Sequence, residues 1–379
     1  MIPMLCLVTI QVAQIPDAIG ELQLDRIELL DKSPLRIGTS GGANLVIVYE
    51  DQIQTRSTTG LPTFLDGSYA DIGPSHLRGV AVLFGDDIGV WTSKTQRIAK
   101  TRHPSIQTQI NHGLVDKDGY VVWVTESGDF WSMARDHRPK LIASRDCAIR
   151  SLCVAGLNQF VLGTSHGDVV LVRRHRDNWI TKLLSHGRSS SDYSEEVIGL
   201  APLSQARIAI AWRSVEKGAL ETRLSIMSVK DGDSRRLNSP AGSLIRSICP
   251  CGNDRVAILL RGVTSTRSGR LIMCNGDPYG ANLQFSIPDN IQPTESIVDI
   301  ANFDGCLYAL TNAQRLLVWR IDNAFGRIKK VHPANERNRR GKRQDAGRRK
   351  GVREGTKGSG LFVTAVTVVK AWSTARTHR

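Results

Sequence analysis

Tyr120-Val121-Val122-Trp123-Val124 is an apolar run that passes through Ser127-Gly128-Asp129 into a second run, Phe130-Trp131-Ser132-Met133. That order is the order of a β-hairpin. β-Branched and aromatic residues suit a pleated, half-buried surface, while Gly and Asp supply the backbone angles of a tight connection. The form recurs on both sides. Val80-Ala81-Val82-Leu83-Phe84 leads through Gly85-Asp86-Asp87 to Ile88-Gly89-Val90-Trp91, and Gln159-Phe160-Val161-Leu162-Gly163 leads through His166-Gly167-Asp168 to Val169-Val170-Leu171-Val172. Four further units repeat it with weaker turns, their second strands beginning at Leu45, Leu224, Leu271 and Leu316.

Taking the first residue of each second strand as an anchor gives Leu45, Ile88, Phe130, Val169, Leu224, Leu271 and Leu316, with steps of 43, 42, 39, 55, 47 and 45 residues. A four-stranded propeller blade has a period of about 40–45 residues. Ile149-Arg150-Ser151-Leu152-Cys153 and Ile245-Arg246-Ser247-Ile248-Cys249 are near copies two such periods apart, where the innermost strand of a blade should begin; Ile297-Val298-Asp299-Ile300 holds the same place in the last unit. One small sheet cannot cover its own two faces, so blades stack around an axis and bury those faces on their neighbours. The spacing therefore predicts an all-β, seven-bladed β-propeller. Polar insertions at Ser185 to Glu196 and Val215 to Glu221 account for the long step and are expected in surface loops. A long β-sandwich would not need a period near 45 residues.

An open ring would expose two sheet edges. Either Leu5-Cys6-Leu7-Val8-Thr9-Ile10-Gln11-Val12 or the C-terminal run from Leu361 to Val369 could supply a final strand. The N-terminal segment is preferred, because it joins the body without a flexible linker. The expected organisation is a propeller over residues 1–326, a basic disordered segment over 327–360 and a strand-like segment over 361–379.

Through the strand-end pattern Gln314-Arg315-Leu316-Leu317-Val318-Trp319, the chain resembles the WD40-like propeller superfamily over about Asp25 to Asp322. The Trp-Asp dipeptide is absent from all seven units, and Gly-His occurs only reversed, as His112-Gly113, His166-Gly167 and His186-Gly187. The resemblance thus implies the fold and leaves the subfamily open.

Charge is distributed unevenly. Of the formal +14, residues from Arg327 onward carry +13, leaving about +1 for the preceding 326 residues. A surface that seeks acidic partners is expected in the tail. Residues 327–358 have no Phe, Trp or Tyr and few apolar side chains, so the segment cannot offset its chain entropy alone. Its cluster, Arg337, Arg339, Arg340, Lys342, Arg343, Arg348, Arg349 and Lys350, has the chemistry of a phosphate-backbone ligand, with salt-dependent affinity through counterion release. A solvated tail and a localisation signal are the alternatives.

Motifs for catalysis are sparse. The seven cysteines are scattered and odd in number, unlike a disulfide framework, and Cys249-Pro250-Cys251 lacks a matching pair for zinc. Gly38-Thr39-Ser40-Gly41-Gly42 matches the Gly-x-Ser-x-Gly pattern of a nucleophile elbow, but a β-type run follows where a helix is required, so a hairpin turn is expected. The turn acids Asp86, Asp87, Asp129 and Asp168 are read as turn formers. Ser189-Ser190-Ser191-Asp192-Tyr193-Ser194 is read as a solvated insertion whose hydroxyls could carry phosphate. No cofactor or metal is implied.

The N-terminus lacks a positive region and a small-residue cleavage site, and no uninterrupted apolar run of about 18 residues is present, so an intracellular, cytoplasmic protein without membrane contact is expected, or a nuclear one in a eukaryote. The functional expectation is a non-catalytic scaffold that docks protein partners, its basic tail contacting RNA or another polyanion. Nucleic-acid binding mainly through the tail, and a propeller hydrolase or lyase with its site at the channel mouth, are the rivals.

Overall fold

The computed structural model describes residues 18–321 except 59–60, 103–108, 135–137, 177, 191, 205, 239–242, 253, 263–269, 276–281 and 286–294. Seven separate β-sheets follow one another along it, each of four or five strands. Blade 1 comprises Arg36–Thr39, Asn44–Val48, Gln52–Ser57 and Thr63–Asp66; blade 2 comprises Asp71–Gly73, Val80–Phe84, Asp87–Thr92 and Arg97–Arg102. Blade 3 runs from Ile110–Val115 to Pro139–Ser144, and blade 4 from Ile149–Gly156 to Asn178–Ser185. Blade 5 is built on Tyr193–Pro202, Arg207–Glu216, Ala219–Ser228 and Ser234–Asn238, with the short Ser189–Ser190 added. Blade 6 begins at Ser243–Pro250 and blade 7 at Ile297–Phe303.

Consecutive blades share an apolar interface, and there are seven such interfaces. Leu114, Val122 and Phe130 of blade 3 meet Leu152, Phe160 and Leu162 of blade 4. The ring closes where Ile37, Leu45 and Ile47 of blade 1 pack on Phe303, Leu310 and Val318 of blade 7. Trp91, Trp123, Trp212 and Trp319 are fully buried in these seams, where large flat side chains add the most contact area. Among the described residues no helix is long and apolar enough to cross a membrane.

The hairpins read from sequence are the second and third strands of blades 2, 3 and 4. In blade 1 the anchor is displaced by one strand. Leu45 lies on the second strand, while the third is Gln52–Ser57. That strand is polar in composition yet buries Gln54 and Thr55, so hydrophobic periodicity passes over it.

The outer strand of blade 7 is Arg26–Leu29, antiparallel to Arg315–Arg320. Leu5–Val12 and the run from Leu361 to Val369 lie outside the described residues. The strand that takes the place is half-exposed, so it needs no continuous apolar run. Just before it, Ala18–Leu22 adds a fifth, parallel strand to the outer edge of blade 6. The segments 327–360 and 361–379, with Arg337, Arg339, Arg340, Lys342, Arg343, Arg348, Arg349 and Lys350, also lie outside the described residues.

The insertions expected as loops are largely strand. Ser185 to Glu196 contains Ser189–Ser190 and the start of the first strand of blade 5, and Val215 to Glu221 is the end of a long hairpin. Polarity alone suggests loops for both, but a hairpin that projects from a sheet has water on its faces and needs polar side chains there.

Candidate docking site at the channel mouth

All seven innermost strands run in the same sense, and each begins at the end of the ring that carries the turns between second and third strands. In five of them the ladder to the second strand skips one residue at an equivalent place: Asn111, Arg150, Ile198, Arg246 and Val298 are the bulged residues. A bulge leaves one backbone unit unpaired and re-aims its side chain. Here the freed groups are used between blades. Asn111 Nδ2 donates to the Ile149 carbonyl at 2.9 Å, and Arg246 Nη1 donates to the Ile297 carbonyl at 3.1 Å, each acceptor being the residue just before the next bulge.

Between blades 7 and 1 a carboxylate makes the join. Asp299 Oδ2 accepts the Ile37 N–H at 3.0 Å and Oδ1 accepts the Ile300 N–H at 2.9 Å. Burial raises its pKa to about 6 against these bonds and the nearby Arg36, and Asp71 raises it further. Burial also lowers the pKa of His112 on blade 3. Both shifted groups are therefore embedded in the inner-strand framework.

The turn acids serve the turns. Asp129 accepts the hydroxyls of Ser144 at 2.7 Å and Ser127 at 2.9 Å, and Asp168 accepts the Gly187 N–H at 3.0 Å, so each ties its turn to or just beyond the fourth strand. Buried Thr125, Thr164 and Thr311 accept the N–H of Asp129, Asp168 and Arg315 at equivalent positions. Gly38 to Gly42 is a hairpin turn, as its sequence suggests: Ser40 is buried, and Gly41 at φ +57° lies so close to Leu77 that a Cβ would come within 2.3 Å of its carbonyl oxygen. The six described cysteines are buried free thiols. Contact with Cys251 and burial push the Cys249 thiol well up, the opposite of what a reactive thiolate needs.

Blade 5 differs from the rest. Its first three strands are ten residues long and carry a hairpin closed by Lys217-Gly218, both at positive φ (+47° and +83°), the two-residue turn that matches strand twist. On its blade 4 side, Glu195 is buried; its Oε1 accepts Tyr193 OH at 2.8 Å and lies 3.7 Å from Arg223 Nη1, and its Oε2 accepts the Arg188 N–H at 3.2 Å. Burial raises the Tyr193 pKa, and Glu195 adds to it. On the other side, Ser194, Glu196, Arg213, Val215 and Leu220, with Ser165 and Glu195, line an open pocket of about 290 Å³. Glu196 pairs with Arg213, and cross-strand neighbours Val215 and Leu220 are 39% and 43% exposed, an apolar pair presented to solvent near the hairpin tip. In the sequence this feature shows only as the long, 55-residue step between anchors.

No protein-family model matches the chain, and no curated protein sequence does. Solved structures do. Virginiamycin B lyase from Staphylococcus aureus aligns with a TM-score of 0.58 at 10% identity, covering 78% of this chain and 98% of that one. YCF48 bound to D1 peptide aligns at 0.56 and 12%, covering 80% and 98%. The β-propeller domain of Cps50 (Swd1) from Myceliophteria thermophila aligns at 0.57 and 10%, covering 78% and 100%. The fold they share with this chain is the β-propeller. At these identities the likeness concerns the fold alone, and a propeller lyase beside a peptide-bound propeller illustrates why: function lies in the sites a fold carries.

Proposed function

We propose that this propeller is a non-catalytic, intracellular interaction platform that docks protein partners on the face bearing the blade 5 hairpin. The observation that carries the reading is that hairpin: an extension with exposed Val215 and Leu220 near its tip, both of which line an open pocket along it. Exposed apolar side chains ringed by charge suit association with a partner. The carboxylates of the pocket are committed to neighbours, Glu195 to Tyr193 and Glu196 to Arg213, which favours binding over proton transfer. Among structural relatives, one was solved with a bound peptide and another comes from the mitotic checkpoint complex. The full-length protein and a Val215→Asp/Leu220→Asp variant serve as paired baits with cross-linking. Partners held by the wild type and lost from the variant support the reading; a partner set indifferent to the hairpin removes it.

The +13 concentrated from Arg327 onward favours an added contact with RNA or another polyanion through the tail. Replacing Arg337, Arg339, Arg340, Lys342, Arg343, Arg348, Arg349 and Lys350 by Gln should then abolish binding to mixed RNA and flatten its salt dependence. Binding that survives the change places it elsewhere.

A further inference from the structure

The charged residues of the seven innermost strands divide into two groups. The acids Asp71, Glu195, Glu196 and Asp299 are buried or half-buried, and each already has a donor: Ile72 N–H and Arg36 for Asp71, Tyr193 for Glu195, Arg213 for Glu196, and Ile37 and Ile300 N–H for Asp299. The arginines also have partners, but they reach solvent. Arg36, Arg150 and Arg246, from blades 1, 4 and 6, are exposed, and the one other exposed residue on those strands is Ser194 of the pocket. All three lie near the starts of their strands, at the same end of the channel as the blade 5 hairpin.

Each guanidinium is anchored on one side. Arg36 donates to the Leu35 carbonyl at 3.0 Å and stands 3.5 Å from Asp71, Arg150 donates to Glu126 at 2.5 Å, and Arg246 donates to the Ile297 carbonyl. Two of them, Arg150 and Arg246, are bulged residues, so the backbone irregularity itself turns them out. A guanidinium has five N–H donors in a rigid fork, and one anchored edge leaves the other preorganised for a carboxylate. Apolar Val215 and Leu220 and the pocket lie at the same mouth.

From this asymmetry we propose that the channel mouth, through Arg36, Arg150 and Arg246, receives an acidic peptide segment of a protein partner, with Val215 and Leu220 covering an apolar residue beside the acids. The proposal rests on the reading of the propeller as a docking platform and names the chemistry of the partner. A peptide fits better than a nucleic acid. The three cations are distributed around a ring, where a phosphodiester backbone follows a continuous groove, and no exposed aromatic side chain stands on the innermost strands to stack a base.

The test measures binding of a labelled peptide of alternating Asp, Glu and Leu to the full-length protein by fluorescence anisotropy. Its counterpart carries Asn and Gln for the acids. Arg36→Gln/Arg150→Gln/Arg246→Gln should weaken the acidic peptide by about tenfold, and the three Arg→Lys changes should restore most of it. Gln replacements at Arg337, Arg339 and Arg340 should leave the mouth-dependent difference intact. Equal affinity of wild type and the Gln triple overturns the proposal, as does equal loss in the Lys triple at unchanged melting temperature, or equal binding of the uncharged peptide. Loss of a single-stranded RNA oligonucleotide from the Gln triple, with the acidic peptide unaffected, overturns it in favour of nucleic acid. If the Gln triple is silent while Val215→Asp/Leu220→Asp still releases partners, the platform stands and this inference alone falls.

Discussion

Blades 4 and 5 share one interface and solve the same local problem differently. In blade 4 the second strand ends at Thr164, opposite Ile149 just before the bulge; its hydroxyl accepts the Asp168 N–H, and the turn is finished within a few residues. In blade 5 the residue opposite the pre-bulge Val197 is Trp212, and the strand continues to Glu216 before it turns. Trp212 Nε1 donates to Ser225 Oγ at 2.7 Å, and above it stands the buried Glu195, with Tyr193 and Arg223 around it. A turn can be closed by one hydroxyl because neighbouring blades cover it. A hairpin that rises above them has to bring its own network. Blade 5 is accordingly where the ring should yield first to changes in buried charge, and blade 4 where single hydrogen bonds matter.

The largest effect is expected at Glu195. Its removal leaves Arg223 and Tyr193 without their buried carboxylate, and breaking such a pair costs about 3–5 kcal/mol. Glu195→Ala should therefore free the hairpin 207–228 for rapid hydrogen exchange while blades 1 to 3 keep their protection. Uniform loss of protection around the ring would show that blade 5 has no independent stability and would end the contrast.

Asp299 sharpens the contrast from the far side of the ring, because it joins blades 7 and 1 and touches nothing in blade 5. Its folded pKa, about 6, stands above the ordinary value of 3.8, so the native state holds the proton more tightly than the unfolded chain. The sign follows: the contribution is fully present below about pH 4 and is lost as pH rises through 6, on the order of 3 kcal/mol at most. Melting temperature measured across that window should fall for the wild type relative to Asp299→Asn. Parallel profiles would mean that the carboxyl is not perturbed.

At the blade 4 turn, Thr164→Val keeps the shape and removes the acceptor of the Asp168 N–H, costing about 1–2 kcal/mol of stability. Chemical denaturation should register it without change in hairpin exchange.

The same contrast explains what could be read from the sequence. Third strands of six blades were legible through their apolar runs, and in blades 2, 3 and 4 also through the Gly and Asp of the turn before them. Gln52–Ser57 was not, since Gln54 and Thr55 are buried through side chains that look like surface residues. Nor was Arg26–Leu29, a half-exposed edge strand whose pairing with Arg315–Arg320 is fixed only by ring closure. The bulges are properties of a pairing between strands, so no single strand announces them. Yet Arg150 and Arg246 stood in the two near-copied segments, and that coincidence was the signal for the channel mouth. Basic residues of the tail, by contrast, are adjacent in sequence and visible without the fold. The three mouth arginines come to the same end of the channel only when the ring closes.

The smallest effect tests how the hairpin is held at its tip. Gly218 sits at φ +83°, and an added Cβ would meet no atom within 4 Å, so a substitution there is penalised by backbone strain alone. Gly218→Ala should cost about 1 kcal/mol. Because the Glu195 network lies below the turn, that cost should appear only as faster exchange between about 213 and 222, with the global melting temperature unmoved. If the tip change instead lowers global stability, the turn and not the buried network is what sets the hairpin, and the division between a self-supported blade 5 and a neighbour-supported blade 4 has to be drawn at Lys217 and Gly218.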